Sequence, residues 1–102
     1  MKACCRAFLE EQFGAGEPVV EEIYGEYVGS MKGKAEEAIA AAAAGNWRVL
    51  DAVAHAAKGN ALMAGDQESA DVAIELRGAA KLEDKARAEA LSARLKELVA
   101  TL

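Results

Sequence analysis

Histidine occurs once in these 102 residues, as His55; proline also occurs once, and cysteine only as the adjacent pair Cys4 and Cys5. One histidine without a spaced cysteine pair cannot assemble a familiar four-ligand zinc site, so no metal site and no metal catalysis are expected of the isolated chain. Adjacent cysteines do not readily bridge each other, and no third cysteine exists to build a disulfide framework; the usage reads as reducing cytoplasm. Apolar runs are short as well. The longest, Ala38 to Ala44, falls far below the roughly 20 residues that span a bilayer, and no basic segment followed by an apolar one opens the chain. Neither a membrane nor a secretory role is expected. The 12 Lys and Arg stand scattered against 17 Asp and Glu, a net charge of −5, which leaves no basic stripe for a phosphate backbone and removes nucleic acid from the expected partners.

What the chain has in quantity is alanine, about a quarter of its residues, within a hydrophobic fraction of 53%. Alanine is the strongest helix former, and with one proline and 5% aromatics the balance points to an all-α fold. The length suits a single domain over residues 1–102, with a modest core that needs no metal or disulfide to hold it. Lys2 to Phe13 suggests a short helix or cap, interrupted by Gly14-Ala15-Gly16. Pro18 suits the first position of a long helix, because its missing N–H has no intrahelical partner there. Val19, Val20, Ile23, Tyr24, Tyr27, Val28, Met31, Ala35, Ala38, Ile39 and Ala42 then keep the i, i+3, i+4, i+7 spacing of one helical face as far as Gly45. Gly25, Gly29 and Gly33 fall opposite Tyr27 among charged residues, and read as solvent-facing rather than as a helix-pairing stripe.

Asn46 is a good N-cap for the next helix, from Trp47 to about Ala64, which stops at Gly65. Asp66 caps a third, Gln67 to Ala80, with Val72, Leu76 and Ala79 as its apolar stripe. A turn near Lys81 leads into the last, from Glu83 to about Ala100, with Leu91, Leu95, Leu98 and Val99 inside and Glu83/Arg87 as an i, i+4 pair on the wet side. The expected architecture is an antiparallel up-down four-helix bundle with a short N-terminal helix or cap.

On the helix from Trp47, Leu50, Val53, Ala54, Ala57, Ala61 and Ala64 cluster within roughly 100° of arc, which marks them as the buried stripe. His55 falls about opposite its centre, flanked by Arg48, Asp51, Ala52, Lys58, Gly59 and Leu62. Lys58, at i+3, puts a cation on the same face, able to balance the roughly −2 charge of a phosphate carried on the ring. Gly59, at i+4, removes the side chain that would stand next to the imidazole. A mid-helix glycine costs roughly 1 kcal/mol, and clearance for another protein's active site would compensate it. Ala52 and Leu62 add an apolar rim, so the face reads as a convex docking surface with one nucleophile at its centre.

Imidazole, with an ordinary pKa of about 6.5, is mostly neutral near pH 7 and offers a lone pair to an activated phosphoryl group without a deprotonating base. A serine hydrolase would need a serine beside His55, but Ser30, Ser69 and Ser92 belong to other helices without a nucleophile-elbow context. No glycine-rich loop ending in Lys-Ser/Thr offers an ATP site, so the donor must bring its phosphoryl group already activated.

The stretch His55-Ala56-Ala57-Lys58-Gly59-Asn60-Ala61-Leu62-Met63-Ala64-Gly65 resembles the signature of histidine-containing phosphotransfer (HPt) domains, in which H-x-L-K-G-S/A leads to a glycine ten residues after the histidine. Tyr27 stands where the family usually has Phe, and Gly45-Asn46-Trp47 resembles the Gly-Asp-hydrophobic turn that opens the histidine helix. The layout resembles the family from about Phe13 to Leu102, and specifically over Asn46 to Gly65. The resemblance implies a phosphorelay intermediate: His55 accepts a phosphoryl group on Nε2 from a receiver-domain aspartyl phosphate and passes it to another receiver. Lys58 then offsets phosphate charge, Gly59 permits close approach, and Arg48, Asp51, Ala52 and Leu62 line the partner-binding face. It implies no cofactor on this chain, Mg²⁺ on the partner receiver, a monomer, and response-regulator receiver domains as partners, with a hybrid sensor histidine kinase as a further one. Such a chain is a phosphocarrier without kinase activity of its own. Ala57 in place of the usual Leu and Ser69 in place of another Leu imply a locally thinner core. Asn60 replaces the usual Ser or Ala, and Arg77 replaces a commonly acidic residue, a departure that bears on partner choice. The alternative is a helical adaptor that binds through the same Ala52/His55/Leu62 face without phosphate chemistry.

Overall fold

Five helices and no strand make up the computed structural model, which describes Met1 to Leu102: α1 (Ala3–Phe13), α2 (Pro18–Ala44), α3 (Trp47–Met63), α4 (Gln67–Lys81) and α5 (Lys85–Ala100). Pro18 opens α2 as its first residue, where no backbone hydrogen bond is forfeited.

The three turns that follow are built alike. Asn46, Asp66 and Asp84 each donate a backbone N–H five residues back, to the carbonyls of Ala41 (2.9 Å), Ala61 (2.9 Å) and Ala79 (3.0 Å). Between helix and donor stands one residue in the left-handed region: Gly45 (φ 66°), Gly65 (φ 73°) and Glu83 (φ 53°). This closes the preceding helix in the manner of a Schellman motif. The same Asn46, Asp66 and Asp84 then turn their side chains forward and accept from the amides of Val49 (3.3 Å), Ser69 (3.3 Å) and Arg87 (3.2 Å), which opens the next helix. One residue thus stops one helix and starts another, so the connections stay short.

The last helix begins at Lys85, not Glu83, because Asp84 is its cap and Glu83 occupies the left-handed turn; no Glu83–Arg87 ion pair forms. Val19 is exposed, since it and Val20 lie about 100° apart on the helix and only Val20 faces inward.

α2 and α4 each lie against both α3 and α5, so these four helices close a ring around the core, and α1 packs on α2. The molecule is elongated, 44 × 18 × 17 Å. Half of its 26 buried apolar residues are alanine, and the small side chains let neighbouring backbones approach closely. Leu9, Met31, Leu50, Leu76 and Leu95 supply the larger volumes. Gly25, Gly29 and Gly33 are solvent-facing, with open space where a Cβ would stand. No helix is long and apolar enough to cross a membrane.

Candidate functional site

The Asn46 cap fixes the start of α3, and the helical repeat then decides what its faces present. Leu50, Val53, Ala54, Ala57, Ala61 and Ala64 are all buried, the stripe read from sequence. His55 is exposed on the opposite side, midway along the helix, with exposed Arg48 and Ala52 beside it and Leu62 at 44% exposure two turns on. Lys58 is half-buried and its ammonium forms no ion pair, so its charge remains available on the histidine face. A Cβ added at Gly59 would meet nothing within 4 Å. Nothing in the chain's own packing therefore asks for a glycine at that position.

The largest concavity lies elsewhere. A groove of about 380 Å³ runs between the end of α1, α2 and α3, lined by Phe13, Ile23, Tyr27, Ser30, Asn60 and Met63 among others, and His55 is not part of it. Asn60 faces this groove and donates to the Ser30 hydroxyl at 2.9 Å. The imidazole is exposed and lines none of the concavities.

Two side-chain arrangements around α3 are not encoded by spacing within one helix. Arg77, on α4, reaches across to α3: its Nε donates to Asp51 Oδ1 at 3.0 Å and its Nη1 lies 3.0 Å from His55 Nδ1. Asp51 and His55 are one turn apart on α3, so a single guanidinium bridges both. The position of Arg77 opposite His55 depends on how α4 packs on α3, which no spacing within α3 encodes. Asp51, expected on the partner-binding face, is half-buried and already engaged by Arg77.

The second arrangement surrounds Asp66. Its carboxylate is fully buried and accepts from Lys2 Nζ (2.8 Å), the Tyr27 hydroxyl (2.7 Å), the Ser69 hydroxyl (2.7 Å) and the Ser69 amide (3.3 Å). Burial alone would raise the pKa of this carboxyl, but the hydrogen bonds from Lys2, Tyr27 and Ser69 together outweigh it and hold the group below the ordinary carboxylate value. The same network raises the Lys2 ammonium: desolvation works against its charge, and the hydrogen bonds and charges of Asp66 and Glu68 prevail. Tyr27 is raised first by burial and then by its bond to the carboxylate, and burial pushes the neighbouring Cys5 thiol up to about 12. Ser69 meets its buried site with hydrogen bonds to Asp66, and the network ties the start of α1 to the α3–α4 turn. A buried tyrosine hydroxyl needs a partner, and that was the available signal in the sequence. Gly65 completes the junction: its φ is left-handed, and a Cβ there would run into the Phe8 side chain of α1.

No group of three or more His, Cys, Asp or Glu side chains converges as a metal-binding cluster. The chain matches no family model, no curated protein sequence and no solved structure.

Proposed function

We propose that the chain is a histidine phosphotransfer module of the HPt type, an antiparallel up-down four-helix bundle with α1 as its N-terminal cap. It relays phosphoryl groups between receiver domains in the cytoplasm as a monomer. The observation that carries the reading is the exposed imidazole of His55 opposite the buried stripe of α3, with the unpaired Lys58 and the open Gly59 on the next turn. The ring of contacts from α2 through α3 and α4 to α5, joined by short turns, supports the bundle topology.

In the transfer, the lone pair of His55 Nε2 attacks the phosphorus of an aspartyl phosphate on the partner. A P–N bond forms while the acyl P–O bond breaks, the aspartate leaves as carboxylate with the electron pair, and the Nδ1 proton stays on the ring or passes to water. Lys58 offsets the phosphate charge and Gly59 lets the partner close on the ring. Arg48, Ala52 and Leu62 form the docking rim, and a receiver or a hybrid sensor histidine kinase would meet them there. The partner's Mg²⁺ supplies charge neutralisation for the phosphoryl group, so this chain carries no cofactor and acts as a phosphocarrier.

Exposed Leu62 favours a second reading, a helical adaptor that binds a partner through the same Ala52/His55/Leu62 face without taking phosphate. Incubation with a phosphorylated receiver and Mg²⁺ separates the two. Phosphotransfer expects acid-labile label to move to the wild type and not to His55→Gln, whereas the adaptor expects binding by both and label on neither. Lys58→Ala should slow transfer and leave the fold unchanged.

A further inference from the structure

We propose that Arg77 is a positioning residue that latches His55 in the tautomer unable to accept a phosphoryl group on Nε2, and that charging requires this latch to be released. The inference rests on His55 being the phosphoacceptor. A guanidinium has five N–H donors and no acceptor, and it keeps its charge at every relevant pH. In the contact of Arg77 Nη1 with His55 Nδ1 at 3.0 Å, Nδ1 can therefore only accept. A neutral imidazole carries one proton, so when Nδ1 accepts, the proton sits on Nε2. The Nδ1 lone pair is occupied by Arg77 and Nε2 has none to offer.

The contact also opposes the immediate product. Attack by Nε2 requires the proton on Nδ1, and the newly phosphorylated ring still bears it there. An arginine donor facing that N–H would place two donors against each other. Arg77 must swing away before or as the P–N bond forms. Its second anchor, Asp51 Oδ1 at 3.0 Å from Nε, keeps the guanidinium in place while no donor is present. A docking donor brings the competitor with it, because a phosphoryl group carries roughly −2 charge and outbids one imidazole nitrogen for a guanidinium. The residue that blocks the ring is thus drawn off by the group the ring is to receive.

The direct reading is the tautomer. With ¹⁵N-labelled histidine at a pH well above the imidazole titration, the wild type should show Nδ1 as the unprotonated, acceptor-type nitrogen and Nε2 as protonated. Arg77→Met should raise the fraction with Nδ1 protonated. Arg77→Gln, whose amide can accept from Nδ1–H as well as donate to Nδ1, should also raise it. Initial rates of His55 labelling by phosphoramidate should rise in both variants, with a gain of roughly tenfold, the occupancy of one exposed charged hydrogen bond. Protonated Nδ1 in the wild type, or unchanged tautomer fractions in both variants, overturns the proposal. So does slower labelling in both variants, which would make Arg77 an attractor for the anionic donor. If His55 labels in no variant, the phosphotransfer reading fails, and the nitrogen spectra still decide on the latch.

Discussion

Gly59→Ala separates what a residue does for the fold from what it does for a partner. In the interior of an exposed helix, alanine is favoured over glycine by about 1 kcal/mol. At Gly59 no atom stands within 4 Å of the added Cβ, and the backbone is ordinary helix, so the substitution carries no steric cost within the chain. The variant should be more stable by about 1 kcal/mol, which for a domain of this size raises Tm by roughly 4 to 8 °C. On the proposed function the same methyl group lies on the face a receiver closes upon, where overpacking a tight interface costs about 1–3 kcal/mol, or roughly tenfold and upward in transfer rate. Thermal unfolding by circular dichroism and the rate of label transfer from a phosphorylated receiver measure the two effects on one preparation. Gly25→Ala, Gly29→Ala and Gly33→Ala are the controls: their Cβ atoms also meet open space, so each should gain comparable stability and transfer at the wild-type rate. A Gly59→Ala protein that is less stable than wild type would refute the helix reasoning. One that is more stable and transfers normally would refute clearance as the reason for this glycine.

The remaining expectations concern the fold and the network behind it. Asp66→Asn should cost about 2 kcal/mol in denaturant unfolding, because Tyr27 and Ser69 lose their charged acceptor while Lys2, nearer the surface, can rehydrate. The pH profile follows in sign: the Asp66 pKa is lowered on folding, so its contribution is complete above the ordinary value of 3.8 and is lost as pH falls below it. Lys2 is raised on folding, so its contribution is complete below 10.5 and disappears as pH rises through the higher folded value. An acid limb in the stability curve that is equally steep in Asp66→Asn would contradict the assignment. Glu83→Gly should stabilise by about 0.5–1 kcal/mol, since a left-handed φ costs a side chain more than it costs glycine; a loss of stability would mean that Glu83 makes a contact worth more than its strain.

What the sequence reveals and what it conceals divide along physical lines. Faces set by a repeat within one helix were legible: the buried stripe of α3 and the exposure of His55 follow from a 100° step and need no knowledge of neighbours. Turns marked by glycine followed by Asn or Asp were legible too, as at Gly45-Asn46 and Gly65-Asp66. The third turn has the same geometry with Glu83 in the glycine's place, and without that marker the start of α5 fell two residues early. Contacts between helices were hidden. Asp66 was legible as a cap, but its partners Lys2 and Tyr27 come from 64 and 39 residues away. Arg77 meets His55 only because α4 packs on α3 in one particular register.

The measurement that bears most directly on the central claim is the position and chemistry of the phosphoryl group itself. After charging by a phosphorylated receiver, or by phosphoramidate, ³¹P spectroscopy and peptide mapping should find one acid-labile, base-stable phosphoramidate on Nε2 of His55, absent from His55→Gln. A phosphoryl group on a hydroxyl or carboxylate, label that persists in His55→Gln, or no label under either donor would contradict it.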